Sequence, residues 1–408
     1  MLVSLVPLFD DSMKVKAYSL FSHKANMLLN PSLLGTGSND GAGAIDGLEV
    51  IESMGIDTIS RDKEIFIPVN NISLFSDIED QCPDVPKERL VILMDKSVLP
   101  QDMYVNRVKE LKEAGYKLAI RKLKVPDFEP YKPVLSLVDY MFMDNKKIDI
   151  SKAKIYFSKV YPNISLCAIN CESQEVFDNL VKEGGYTLYE GEFYRMPITK
   201  GQNEIAPLKV NYIELLNIVN DVDFDLTKAA DIVGRDTALV VDLLKMVNKL
   251  SVNSEITSIR HAAAMLGQKE LKKWINTAVT NQLCTDKPNE VTRVSLLRAK
   301  FAENLASVFE IGGQASELFL MGLFSVLDII LDIPMSEALK KVKVSKQIEK
   351  ALVDGTGDFA EVLGFVENYE NANWEEIDRI MVLKNISSSS VYEAYKSSLE
   401  WYRDLFRS

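Results

Sequence analysis

The sequence predicts an α/β barrel of the TIM type over residues 1–200, followed by an all-α domain over residues 201–408. Three observations lead there. Short apolar runs recur eight times in the first 200 residues with amphipathic helical stretches between several of them, a pattern that suits a closed barrel better than an open sheet. Beyond about residue 200 nothing reads as a strand, and apolar residues return at helical spacing instead. Between the two textures, Gly201-Gln-Asn-Glu-Ile-Ala-Pro207 reads as a linker, so the halves are expected to fold independently.

The strands are predicted at Leu2–Leu8, Lys16–Phe21, Glu64–Val69, Leu90–Met94, Lys117–Arg121, Asp139–Met143, Ile164–Ile169 and Tyr186–Tyr189. Over 102–114, Val105, Val108 and Leu111 recur on one helical face and Gly115 ends it. Over 173–183, Val176, Phe177, Leu180 and Val181 form the stripe, Ser173 is the N-cap and Gly184-Gly185 the stop. Two hundred residues is short for such a barrel, so some of its helices should be reduced or missing. In the second half, Leu226, Ala229, Ala230 and Val233 make one face between the cap Asp225 and Gly234. Leu239, Leu243, Val247 and Leu250 make the next, capped by Asp236. Later helices are predicted over 258–266, 269–283, 291–311, 315–331, 345–354, 358–369, 374–383 and 388–406.

Composition narrows the functions. Hydrophobic residues make up 47% of the chain, enough to bury proper cores. The formal charge of −12 argues against broad nucleic-acid binding, which depends on clustered cations. Residues 225–248 have helix-turn-helix spacing. Their second helix, however, offers Asp236, Asp242 and only Lys245 outside its apolar stripe, so a packed hairpin is expected. Two histidines exclude any site built on three imidazoles, and His261, with no His or Cys near it, is expected to be a capping or core residue. Four cysteines make no disulfide framework and suit a reducing cytoplasm; Cys167 and Cys171 read as small apolar residues. The start of the chain lacks a basic leader, and no apolar run approaches the roughly 20 residues of a membrane span. A soluble, cytoplasmic protein is expected. Gly35–Gly43 is flexible, with no Lys-Ser/Thr after it, and reads as a loop and not as a phosphate cradle.

In a barrel the chemistry sits at the C-terminal strand ends. There the sequence offers Pro68, Leu93, Arg121-Lys122 and Ile169, two cations and three non-ligands, which do not make a divalent-metal cradle. No cofactor and no metal are expected.

The same stretches resemble an EAL domain, the barrel that hydrolyses cyclic di-GMP, in a strongly degraded form. Ser19, in Lys14-Val-Lys-Ala-Tyr-Ser-Leu-Phe-Ser22, stands at the signature glutamate. Pro68 of Glu64-Ile-Phe-Ile-Pro-Val69 stands at a metal-binding asparagine, and Leu93 of Pro86–Met94 at a glutamate. In Gly115-Tyr-Lys-Leu-Ala-Ile-Arg-Lys-Leu123, Arg121 and Lys122 occupy the aspartate pair. Leu137–Asp144 keeps Asp144 but has Phe142 at the lysine position. Leu166–Glu172 keeps only Glu172, and Glu190-Gly191 stands for a glutamine-glycine pair. The second half resembles the HDOD domain, a helical output module related to His-Asp phosphohydrolases but without their metal ligands. The residues that carry this are Asp236–Asn248, Ile256–His261 on to Leu266-Gly267, Phe319–Asp328 and Ala351–Tyr369.

The two resemblances together imply a bacterial signalling protein. With the metal-binding acids replaced, the expectation is a non-catalytic protein acting through protein contacts, with no phosphodiesterase activity. The alternative is a non-hydrolysing receptor for cyclic di-GMP or another nucleotide, its vestigial pocket formed by Ser19, Arg121, Lys122, Asp144, Glu172 and Glu190. Protein partners are implied but not identified, nucleic acid is not expected, and self-association through the helical domain is an expectation from the family and from Trp274, Trp374 and Trp401.

Overall fold

In a computed structural model, the described residues are 1–23, 45–196, 207–234, 236–250, 256 and 258–406. The loop Gly35–Gly43, the linker residues 201–206 and Arg235 of the hairpin turn lie outside them.

Eight strands close a barrel in chain order: β1 (Leu2–Phe9), β2 (Val15–His23), β3 (Glu64–Pro68), β4 (Leu90–Met94), β5 (Lys117–Ile120), β6 (Tyr140–Asp144), β7 (Ser165–Ile169) and β8 (Leu188–Tyr189). Each falls on a predicted run. β1 is antiparallel to β2 and β8, and all other neighbours are parallel. The reversal comes from the turn at Asp10, whose carboxylate Oδ1 accepts the backbone N–H groups of Ser12 and Lys14 at 2.9 Å each. The register Leu8↔Ala17, Val6↔Ser19, Ser4↔Phe21 puts these residues on one side of the hairpin, because strand side chains alternate. Leu8 and Ala17 join Phe66, Val91, Leu93, Ala119, Phe142, Cys167, Ile169 and Leu188 in a buried cluster that fills the barrel.

A hairpin carries no crossover helix to cover the outer face of β1, yet β1 is buried at nearly every position. The cover comes from the far end of the chain, where the helix Ser388–Leu405 packs against β1. Residues 1–196 group with 307–310 and 364–408 into one compact unit. Tyr369 accepts the Val3 N–H on its hydroxyl at 3.1 Å, and the Ser4 hydroxyl donates to the Glu370 carbonyl at 2.8 Å. Arg195, its side chain 8% exposed, pairs with Glu370 at 2.7 Å and with Glu192. His23 at the end of β2 meets the Asp378 carboxylate at 2.8 Å and stacks on Trp374. Ser53 meets the Tyr392 hydroxyl and Arg403 donates to Thr58, each at 2.8 Å.

The second unit, 197–306 with 311–363, is helical and without strands throughout its described residues. The hairpin Leu226–Val233 and Thr237–Leu250 lies in the predicted place. The helix Ile259–Leu283 is interrupted at Gly267 (φ 73°, ψ 172°), between the two segments predicted at 258–266 and 269–283. The stretch predicted over 291–311 runs Asn289–Leu305, and 315–331 divides into Ala315–Phe324 and Leu327–Leu331. Asn289–Leu305 is buried on nearly all sides, and Ala315–Phe324 can lie on it because Gly322 has no Cβ to collide with the Arg298 carbonyl. His261 is neither a core nor a capping side chain: it is exposed, and Ser258 supplies the cap to its backbone N–H.

Candidate functional site at the barrel mouth

The C-terminal strand ends gather a polar layer above the apolar filling. Ser19 of β2 is fully buried, and its hydroxyl has no hydrogen-bond partner. Two residues on and on the same side, Phe21 presents its ring to the Arg121 guanidinium, 5.0 Å from the ring centre. Arg121 follows β5, its backbone N–H tied to the Met94 carbonyl at 2.9 Å. Its Nε and Nη1 are enclosed and unpartnered, as is Oε2 of Glu190 just beyond β8. Leaving buried polar groups unmet costs about 1–3 kcal/mol each, so this layer is held at the expense of stability. Burial pushes the Glu190 carboxyl up, with Arg121 opposing the rise and Asp144 adding to it.

The other acids at the mouth are occupied. Asp144, at the end of β6, accepts from the Asn170 amide at 2.7 Å and the Lys146 N–H at 3.0 Å, and pairs with Lys147 at 3.0 Å. Burial alone would raise its carboxyl, but these bonds hold it below the usual carboxylate range. Asp95, after β4, accepts the Ser97 N–H at 2.9 Å and pairs with Lys122 at 2.9 Å. Burial again works upward and is outweighed by those bonds, so this carboxyl too is lowered. Lys122 (φ 63°) and Asn170 (φ 60°) both take left-handed backbone at strand ends, a strain found clustered at functional sites. Gly191 fits only because it lacks a Cβ, since one would strike the backbone of Cys171.

Of the residues singled out in the sequence, the structure thus brings Arg121, Glu190 and Asp144 within electrostatic reach, with Ser19 on the strand that carries Phe21. Lys122 turns to Asp95, and Glu172 is largely exposed and paired with Lys146. Sequence reading missed Asp95, Asn170 and Phe21. Asp95 lies two residues past Leu93, the position expected to face the site; Leu93 and Ile169 instead belong to the apolar filling. The turn signal Asp95-Lys-Ser97 was there to be read.

Among the described residues no three His, Cys, Asp or Glu side chains converge to hold a metal ion. A divalent cation needs several free oxygens. Those of Asp144 and Asp95 already accept from donors or face lysines, and the enclosed oxygen of Glu190 lies in the field of Arg121. The donor set does not fit the metal cradle of an EAL phosphodiesterase. Burial drives the Cys167 thiol well up and the Cys171 thiol up to about 12, which leaves both inert. No helix among the described residues is long and apolar enough to cross a membrane.

The fold is therefore an eight-stranded closed barrel with a helical module after it. Among known proteins, the HDOD domain family matches residues 205–353, within the helical region. The chain is 26% identical over 329 residues to the cyclic di-GMP phosphodiesterase CdgJ of Vibrio cholerae, covering 79% of this chain and 75% of that one. It is 25% identical over 416 residues to the uncharacterized protein YuxH of Bacillus subtilis, covering 99% and 98%. An EAL domain protein of Listeria monocytogenes is similar in structure with a TM-score of 0.35 at 13% identity, over 47% of this chain and 86% of that one.

The resemblance to CdgJ corrects one expectation. The sequence points to a non-catalytic signalling protein, an inactive relative of phosphodiesterases; a relative spanning most of this chain is named a cyclic di-GMP phosphodiesterase. The expectation of inactivity rests on single replaced positions in the barrel, and the name of a relative aligned over 79% of this chain overturns it.

Proposed function

We propose that the chain acts on cyclic di-GMP in bacterial signalling, and that the dinucleotide engages the barrel mouth. The observation that carries this reading is the Arg121 guanidinium, enclosed at a strand end with two nitrogens unpartnered. A phosphodiester oxygen is the acceptor it suits best. Supporting it are the similarity to CdgJ, the strained backbone at Lys122 and Asn170, and the lodging of the whole layer at the end of the barrel where chemistry sits. Hydrolysis to the linear dinucleotide is the activity that relative's name assigns to the relative, and it is the activity to assay here. The HDOD domain is the output side of the reading, passing the state of the barrel to a protein partner.

The test is to incubate the purified full chain with cyclic di-GMP, following product by chromatography and binding by calorimetry. Formation of the linear dinucleotide, or saturable binding, supports the reading. Neither product nor heat at millimolar dinucleotide overturns it.

A further inference from the structure

The mouth presents donors where a phosphodiesterase of this type would present metal ligands, and the mismatch has a direction. We infer that the phosphodiester is held here by the Arg121 guanidinium in place of divalent cations, so that the dinucleotide binds without metal. This rests on the proposed function and says how the ligand is recognised.

Four features of the mouth converge on it. Arg121 makes no ion pair among the described residues, whereas its neighbour Lys122 is taken up by Asp95. The guanidinium is positioned all the same, because its central carbon lies over the ring of Phe21, 5.0 Å from the ring centre. Ser19, on the same strand as Phe21, adds a second unpartnered donor, its hydroxyl fully buried. Glu190 completes the set: burial favours its neutral form, and a neutral carboxyl can donate to a phosphate oxygen that a carboxylate would repel. A guanidinium, a hydroxyl and a carboxylic acid are the complement of a singly charged phosphodiester. The same three groups would be a poor host for Mg²⁺ or Mn²⁺, since the fixed charge among them is positive.

The experiment titrates the full chain with cyclic di-GMP in EDTA and again in Mg²⁺. The inference expects the same dissociation constant in both within about twofold. Arg121→Ala should weaken binding in EDTA by about tenfold or more, the worth of one charge-assisted contact. Arg121→Lys, which keeps the charge but loses the fork, should fall between. Ser19→Ala, a smaller change, should weaken binding by a few-fold with a melting temperature that does not fall, and so guards against misfolding of the arginine variants. Binding that appears only with Mg²⁺, or that is untouched in both Arg121→Ala and Ser19→Ala, overturns the inference and leaves the proposed function standing. Absence of binding and of product in both buffers removes that function as well.

Discussion

Two parts of the barrel's C-terminal end treat polar groups in opposite ways. Where β1 begins and β2 ends, residues 364–408 meet them: Tyr369 takes the Val3 N–H, Glu370 takes Ser4 and Arg195, Asp378 takes His23. Across the mouth, on β2, after β5 and beyond β8, Ser19, Arg121 and Glu190 keep polar atoms unmet. The first arrangement is what a protein does to hold a fold together. The second leaves the same kinds of group enclosed without a protein partner, at a cost in stability. The difference separates polar groups that serve the fold from those the proposed function gives to the ligand.

The contrast can be broken most severely at the clamped side. Removing residues 364–408 uncovers β1 and strips Tyr369, Ile377, Val391 and Leu399 from the core, at about 1.5–3 kcal/mol for each large apolar side chain. That sum is comparable to the whole stability of a typical domain, so the truncated chain should lose its cooperative melt in calorimetry. Arg195→Ala removes a buried cation from the partly buried Glu370 and the exposed Glu192 and should cost about 1–3 kcal/mol in urea unfolding. Tyr369→Phe orphans the Val3 N–H, for a loss of about 1–3 kcal/mol by the same measurement.

At the mouth the sign should reverse. Burial raises the folded-state pKa of Glu190 above its unfolded value. The folded state therefore carries no penalty below the unfolded pKa and loses stability as pH rises from there through the raised one. Glu190→Gln should stabilise the protein without ligand by about 1 kcal/mol at neutral pH, with the gain shrinking toward acid pH in thermal melts. A loss of stability there would mean that Glu190 serves the fold.

Most of the barrel was legible in the sequence because each strand is a local apolar run bounded by turn residues, and all eight runs became strands. Helix breaks at Gly184 and Gly267 were legible too, each glycine taking the positive φ its position requires. The grouping of 364–408 with the barrel was not. Its helices are as periodic as their predecessors, and nothing local tells which surface their apolar faces cover. The need was visible only from the other side, in a β1–β2 hairpin lacking its crossover helix. At the barrel mouth, motif positions name Arg121, Asp144 and Glu190, whereas Asp95 and Phe21 emerge only from strand register. Glu172 matched a motif yet lies outside the layer, exposed and paired with Lys146.

On the proposed function, the unmet layer is the ligand's place and the clamped rim is not. Hydrogen exchange of the full chain, with and without cyclic di-GMP, tests it most directly. The account predicts added protection over Ser19–Phe21, Ala119–Leu123 and Leu188–Gly191, with amides of Tyr369–Asp378 unchanged. Protection gained only at Tyr369–Asp378, or nowhere in the barrel, would contradict it.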